Sequence, residues 1–140
     1  MEPNNADAYY SLGFIAWSEW YPEYADRKMS LGLKPDDQSG PLKDKKVKEE
    51  LRAKYDPVID GGLKNLDKAL EINPKYDDAM AYKNLLIREH ADLVDTKAEY
   101  DAQIQVANGW VDKALAVKKE KAAEAAKKEA AKAGGITAPQ

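Results

Sequence analysis

Large apolar residues recur at intervals of three and four along most of this 140-residue chain, and no stretch alternates apolar with polar residues. That period places one apolar stripe on each successive helix, so the chain must fold by packing helix against helix. Val47, Leu51, Tyr55, Val58, Ile59, Gly62, Leu63, Leu66, Ala69 and Leu70 form the longest such stripe. The first helix carries two. Tyr9, Leu12, Gly13, Ala16 and Trp20 make one, and Tyr10, Phe14, Trp17 and Tyr21 make the other. A helix apolar on two sides is either buried on both or buried on one while presenting the other to a partner.

Turn and cap chemistry punctuates the pattern. Asn5 is a good N-cap, with Asp7 in the first turn, and Pro22 is expected to end or kink the helix near Tyr21. A short helical piece is expected to follow to about Leu31, closed by Gly32. KPDDQSGP, Lys34 to Pro41, reads as a loop. Helix resumes near Leu42 to Asp44, with a boundary favoured at Pro57, which Asp56 can cap. Asn73 and Pro74 end it. A helix from Tyr76 to Val94 follows, and Thr96 with Glu99 matches a capping box that opens the last one. From Lys118 to Ala133 the sequence KKEKAAEAAKKEAAKA has no large apolar side chain and reads as a helical extension, followed by a flexible end at 134–140. Residues 1–117 are left to form one domain with one core.

Charge and composition exclude several classes. The net charge is −3, yet the extension holds six Lys against three Glu and so carries +3, leaving −6 on the body. An acidic body does not suit nucleic acid, which needs a basic face. There is no Cys, hence no disulfide, thiolate nucleophile or Cys-based zinc site. His90 is the only histidine, so no metal site can be built from several, and no metal or other cofactor is expected. Neither glycine pair, Gly61-Gly62 nor Gly134-Gly135, has the wider spacing and following Lys-Ser/Thr of a phosphate loop. The carboxylate pairs Asp36-Asp37, Glu49-Glu50 and Asp77-Asp78 are adjacent residues, which on a helix do not face one another. No catalytic residue stands out, and the chain is expected not to be an enzyme. No apolar run approaches the roughly 20 residues that span a membrane. MEPNNADAYY lacks the pattern of a signal peptide, and Met1 stands directly before a repeat, as if the chain were cut from a longer one. The compartment stays open.

Two stretches repeat. EPNNADAYYSLG and NPKYDDAMAYKN both place Pro six residues before a large side chain, Tyr9 and Met80, with Gly13 and Asn84 four further on. Gly62, Leu66 and Ala69 correspond to Ala107, Val111 and Ala114. Here the chain resembles the tetratricopeptide repeat family, whose pattern runs W-x2-L-G-x2-Y, then A-x3-F, then P. Tyr9, Leu12, Gly13 and Ala16 take the first-helix places; Gly62, Leu66, Ala69 and Pro74 take those of the second, within KALEINP. The resemblance implies an all-α fold of about four to six helices, antiparallel hairpins stacked in a right-handed solenoid. Pro3 to Pro74 is 71 residues, against a family period of about 34, so about 37 extra residues fall in an insertion at 21–56. Ala69 to Ala114 carries about 11 more, near three helical turns. Lys83 stands where Leu is usual.

The resemblance also implies a groove lined by the first helix of each pair. Asp7, Tyr10, Phe14, Trp17 and Ser18 would face it from one helix, and Asp78, Ala81, Leu85, Arg88 and Glu89 from the other. Tyr9, Tyr10, Phe14, Trp17, Trp20, Tyr21 and Tyr24 fall within 16 residues, over half the aromatics of the chain. Tyr9 and Trp20 are expected in the core; Tyr10 and Trp17 suit packing and groove equally. Aromatic and Arg side chains are what binding hot spots use. Lysines and asparagines that hold a peptide's terminal carboxylate in some relatives are absent, because Tyr10 and Phe14 occupy those places. The leading expectation is a module that binds a protein or peptide segment. The alternatives are a structural component that self-associates, for instance as a homodimer, and a small-molecule binder.

Overall fold

The computed structural model describes residues 4–137. Among them are four α-helices, α1 (Ala6–Ser30), α2 (Lys45–Ile72), α3 (Asp77–His90) and α4 (Lys97–Thr137), a short 3₁₀ segment, Ala91–Leu93, and no strand. The fold is all-α. Pro3, one of the repeat positions, and residues 138–140 of the expected flexible end lie outside the described residues. Up to Thr137 that end is helix.

The caps are local chemistry. Ala8 donates its N–H to Asn5 Oδ1 at 3.1 Å, and Val47 donates to Asp44 Oδ1 at 3.0 Å. Thr96 Oγ1 accepts from the Glu99 N–H at 3.1 Å. At the end of α1, Gly32 takes φ +79°. Its N–H reaches Met29 O at 3.0 Å, while the Leu33 N–H reaches Lys28 O at 2.9 Å. This is a Schellman closure, which needs the left-handed residue that glycine supplies.

The breaks expected at Pro22 and Pro57 do not occur: α1 and α2 each run through their proline. A mid-helix proline costs about 3 kcal/mol through a lost N–H and a clash with the preceding turn. Both rings are exposed, so the carbonyls they leave unpaired face water. Trp20 and Tyr24 flank Pro22, and Tyr55 and Ile59 flank Pro57, all buried on continuous stripes. Each such side chain is worth about 1.5–3 kcal/mol when buried, so two per proline outweigh the defect. The 21–56 stretch is therefore the far half of one long hairpin and its loop, with no separate helices. The third helix is also shorter than expected, giving way to the 3₁₀ segment after His90.

Within that hairpin α1 and α2 run antiparallel. Leu66 lies over Gly13 near the open end, and Arg27 Nη2 meets Glu50 Oε2 at 2.7 Å near the loop. Lys54 Nζ and the Tyr55 hydroxyl both donate to Glu23 Oε1, at 2.7 and 2.9 Å. Helices α3 and α4 form the second antiparallel hairpin. Lys121 pairs with Asp77 at 2.6 Å at one end, and Arg88 donates to Asn108 at 2.6 Å toward the other. Lys83 packs its ammonium 4.1 Å from the centre of the Trp110 ring and pairs with Asp67, so its charge is used where Leu was expected. The hairpins stack with α2 antiparallel to α3, and α1 beside α3 and parallel to it. Trp20, Leu51, Ile59, Leu66, Leu86 and Leu93 fill the shared core. From Lys118 to Ala133 every side chain of α4 is exposed.

The helices approach closely where glycine permits. A Cβ on Gly62 would stand 2.7 Å from Ala16 Cβ and 3.2 Å from Leu86 Cδ1, whereas one on Gly61 would meet nothing within 4 Å. Two neighbouring substitutions should therefore act in opposite senses. Gly61→Ala is expected to stabilise by about 0.5–1 kcal/mol through helix propensity alone. Gly62→Ala is expected to destabilise by about 1–3 kcal/mol through overpacking. Urea unfolding of the two variants checks both signs.

Candidate aromatic seam between the first and third helices

On α3, residues Asp78, Tyr82, Leu85 and Glu89 follow one another by four, three and four, which keeps them on one helix face. That face meets the second stripe of α1. The Tyr10 ring stacks on Tyr76 with centroids 5.0 Å apart and meets Tyr82 edge-on at 5.9 Å. Phe14 stands perpendicular to Tyr82 at 5.3 Å. Trp17 lies 5.5 Å from Tyr82 and stacks on Tyr21 at 4.8 Å. The rings thus form a continuous row along the parallel seam. Tyr10, Trp17, Tyr21 and Tyr82 are half-buried against the core, and Phe14 is 40% exposed.

Beneath the row lies a polar layer. Glu89 is only 8% exposed, and its two carboxylate oxygens accept from two indoles of α1. Trp20 Nε1 donates to Oε1 at 2.9 Å, and Trp17 Nε1 to Oε2 at 3.3 Å. One turn on, Asp92 Oδ2 accepts from the Tyr24 hydroxyl at 2.6 Å and from Lys28 Nζ at 2.8 Å. Lys28 is 1% exposed and also donates to Pro35 O at 3.2 Å and Asp37 O at 2.7 Å, which ties down the loop after α1. The Leu42 N–H donates to Asp92 O at 2.8 Å. Burial is the largest influence on Glu89; it outweighs the indole donors and pushes the carboxyl up to about 7. Asp92 is raised as well, burial prevailing over Lys28 and Tyr24. The Tyr24 hydroxyl is pushed up strongly by burial and by Asp92.

The groove residues expected from the sequence fall as follows. Asp7 sits at the end of the row and accepts from the Tyr76 hydroxyl at 2.6 Å. Tyr10, Phe14 and Trp17 lie within the row. Ser18 is exposed and donates back to Phe14 O at 3.0 Å on its own helix. Asp78 is exposed and close enough to Tyr10 to help raise its hydroxyl, after burial and Tyr82. Ala81 and Leu85 are half-buried. Arg88 donates to Asn84 Oδ1, to Gln38 Oε1 at 3.0 Å and to Asn108 Oδ1, bridging α3 to the loop and to α4. Glu89 is turned inward, so its carboxylate holds α1 and does not face open solvent. Tyr76 and Tyr82 are members of the row that the sequence reading left out. Tyr82 was visible, since it shares the face of Asp78, Leu85 and Glu89. The network of Tyr24, Lys28 and Asp92 had no such signal.

His90 is half-buried, with Nε2 3.2 Å from Asp56 Oδ1 and Nδ1 3.1 Å from Gln103 Oε1. Among the described residues no three His, Asp or Glu side chains converge as a metal site, and no described helix is long and apolar enough to cross a membrane. Comparison with protein-family models, with curated proteins and with solved structures returned no match.

An acid held above its ordinary 4.5 binds its proton more tightly in the folded state. Its contribution is therefore favourable at low pH and is lost as pH rises from about 4.5 to about 7. At about 1.4 kcal/mol per pKa unit, the loss from Glu89 is on the order of 3 kcal/mol. Glu89→Gln keeps an acceptor oxygen for one of the two indoles and removes the charge. Urea unfolding at a series of pH values should show a decline across that window in the wild type and a much flatter profile in the variant.

Proposed function

We propose that this chain is a tetratricopeptide-type interaction module, without catalytic activity, that docks an extended or helical segment of another protein along the α1–α3 seam. The observation that carries the reading is the row of Tyr10, Phe14, Trp17, Tyr21 and Tyr82, with Phe14 open to solvent over ring faces that the core does not cover. Large rings on rigid helices give contact area at little entropic cost, and such residues dominate binding energies. Two antiparallel hairpins with their first helices side by side, and glycines at the closest helix approach, support the family resemblance. In this reading Tyr10, Phe14 and Trp17 bury a partner's apolar side chains. Asp78 and Arg88 set its direction from the rim, and Glu89 fixes the indole of Trp17 from below.

Phe14 separates binding from folding, because it is the most exposed ring of the row. Phe14→Ala should change unfolding free energy by no more than about 1 kcal/mol. It should weaken a partner by about 2 kcal/mol, roughly thirtyfold. The measurement is capture of a partner, identified by photo-crosslinking from position 14, followed by its affinity for wild type and variant. A partner bound equally by both would contradict the reading. So would a chain that only self-associates, in a manner insensitive to this substitution.

A further inference from the structure

At the loop end of the aromatic row, a cavity of about 270 Å³ opens between α1, the connection 31–44 and α3. Trp17, Tyr21 and Tyr24 line it from α1, and the buried acids Glu89 and Asp92 line it from the opposite chain segment. Trp17 stacks on Tyr21 at 4.8 Å and Tyr21 meets Tyr24 at 6.1 Å, so three successive rings line one side. The exposed Asp36 stands at the rim with Asp37, Gln38 and Arg88.

The charges around this cavity do not balance. Among the described residues four acids, Asp36, Asp37, Glu89 and Asp92, line it, against Arg88 in the lining and Lys28 behind it. Lys28 is bound to Asp92. Arg88 spends its guanidinium on the amide oxygens of Asn84, Gln38 and Asn108 and on no carboxylate. Asp37 accepts from Ser39. Among the described residues Glu89 accepts the two indole N–H groups, about half of the four lone-pair sites that a carboxylate offers. An anion is excluded by the acids. Once Glu89 ionises, above about 7, a neutral ligand would leave its charge unpaired, which is costly in a low-dielectric site.

We infer that this cavity receives the side-chain ammonium of a lysine in the docked partner segment, seated among the rings of Trp17, Tyr21 and Tyr24 and paired with Glu89. The inference rests on the peptide-docking reading above. A cation over an aromatic face is attracted by the ring quadrupole, more strongly once desolvated. Each oxygen of Glu89 already holds one indole N–H, so a compact donor suits it better than a guanidinium fork, which needs both oxygens free in one plane. The volume lies just under the roughly 300–1,000 Å³ of small-molecule sites, room for one long side chain rather than a whole metabolite. Burial holds the Glu89 proton near neutrality, so an arriving ammonium would also drive the carboxyl to its ionised form.

The test uses the full chain at pH 8 and short peptide pools with random flanks and one fixed central residue. That residue is lysine, or norleucine, which has a similar length and no charge. Binding is read by calorimetry and by tryptophan fluorescence. The lysine pool should bind about tenfold more tightly than the norleucine pool, the worth of a desolvated cation–π contact plus an ion pair. Glu89→Gln, checked for folding by its thermal transition, should abolish that preference. Asp36→Asn, at the exposed rim, should reduce it and serves where the first variant does not fold. Phe14→Ala should weaken both pools alike. Equal binding of the two pools, with Phe14→Ala still weakening both, overturns the lysine pocket and leaves the docking reading standing. Failure of both pools overturns both. A response to free n-butylamine without any to peptides overturns the peptide source and makes this a small-amine site.

Discussion

Two indoles sharing one buried carboxylate is an arrangement that water would dissolve and that this fold keeps dry. Glu89 reaches from α3 to Trp17 and Trp20 of α1, and much else follows from that contact. The first hairpin packs along its whole length, but α1 and α3 meet over a narrower strip, so directional bonds carry more of the weight there. A buried carboxylate that lost both donors would bear its full desolvation penalty, about 1–3 kcal/mol or more. The bonds thus fix which faces of α1 and α3 oppose each other. With that rotation set, Trp17 must lie against Tyr21 and Tyr82, and Phe14 is left outside.

A second buried group continues the same logic toward the loop. Asp92 binds Tyr24 and Lys28 through its side chain and Leu42 through its carbonyl, while Lys28 gathers the carbonyls of Pro35 and Asp37. The connection between α1 and α2 has no regular structure, yet it is held at several backbone points by one ion pair. This gives the proposed lysine cavity a firm wall on its loop side. A single helix, α1, therefore supplies four of the rings of the seam, Tyr10, Phe14, Trp17 and Tyr21, together with the donors for both carboxylates and the cation that organises the loop.

Much of this was legible in the sequence, because its signals are local. Asn5, Asp44, Thr96 with Glu99, and Gly32 mark the helix ends with side chains that act within three or four residues. The apolar period marked the helices and their inward faces, and Gly13 and Gly62, legible only as places in the repeat pattern, prove to sit where α1 and α2 approach closely. The prolines misled. Pro22 and Pro57 are strong local breakers, but both sit on the wet side of helices whose dry sides bury Trp20, Tyr24, Tyr55 and Ile59. Tertiary burial prevailed over the local rule. At the site, Tyr10, Phe14 and Trp17 stood out as aromatics on a second stripe. The inward turn of Glu89 and the burial of Lys28 with Asp92 did not, since each depends on partners 60 or more residues distant. No periodicity distinguishes a charged residue on a wet face from one that crosses a helix interface.

One buried carboxyl, Glu89, holds both α1 indoles and so sets the seam. The most direct test follows the three indole Nε1–H resonances by heteronuclear NMR from pH 4.5 to 8.5. Trp17 and Trp20 should shift with a common midpoint near 7, the value to which burial pushes Glu89. Trp110, which stacks with Lys83 and Lys113 instead, should not move with them. Midpoints in the ordinary carboxylate range, or indoles of Trp17 and Trp20 that titrate independently, would contradict the claim.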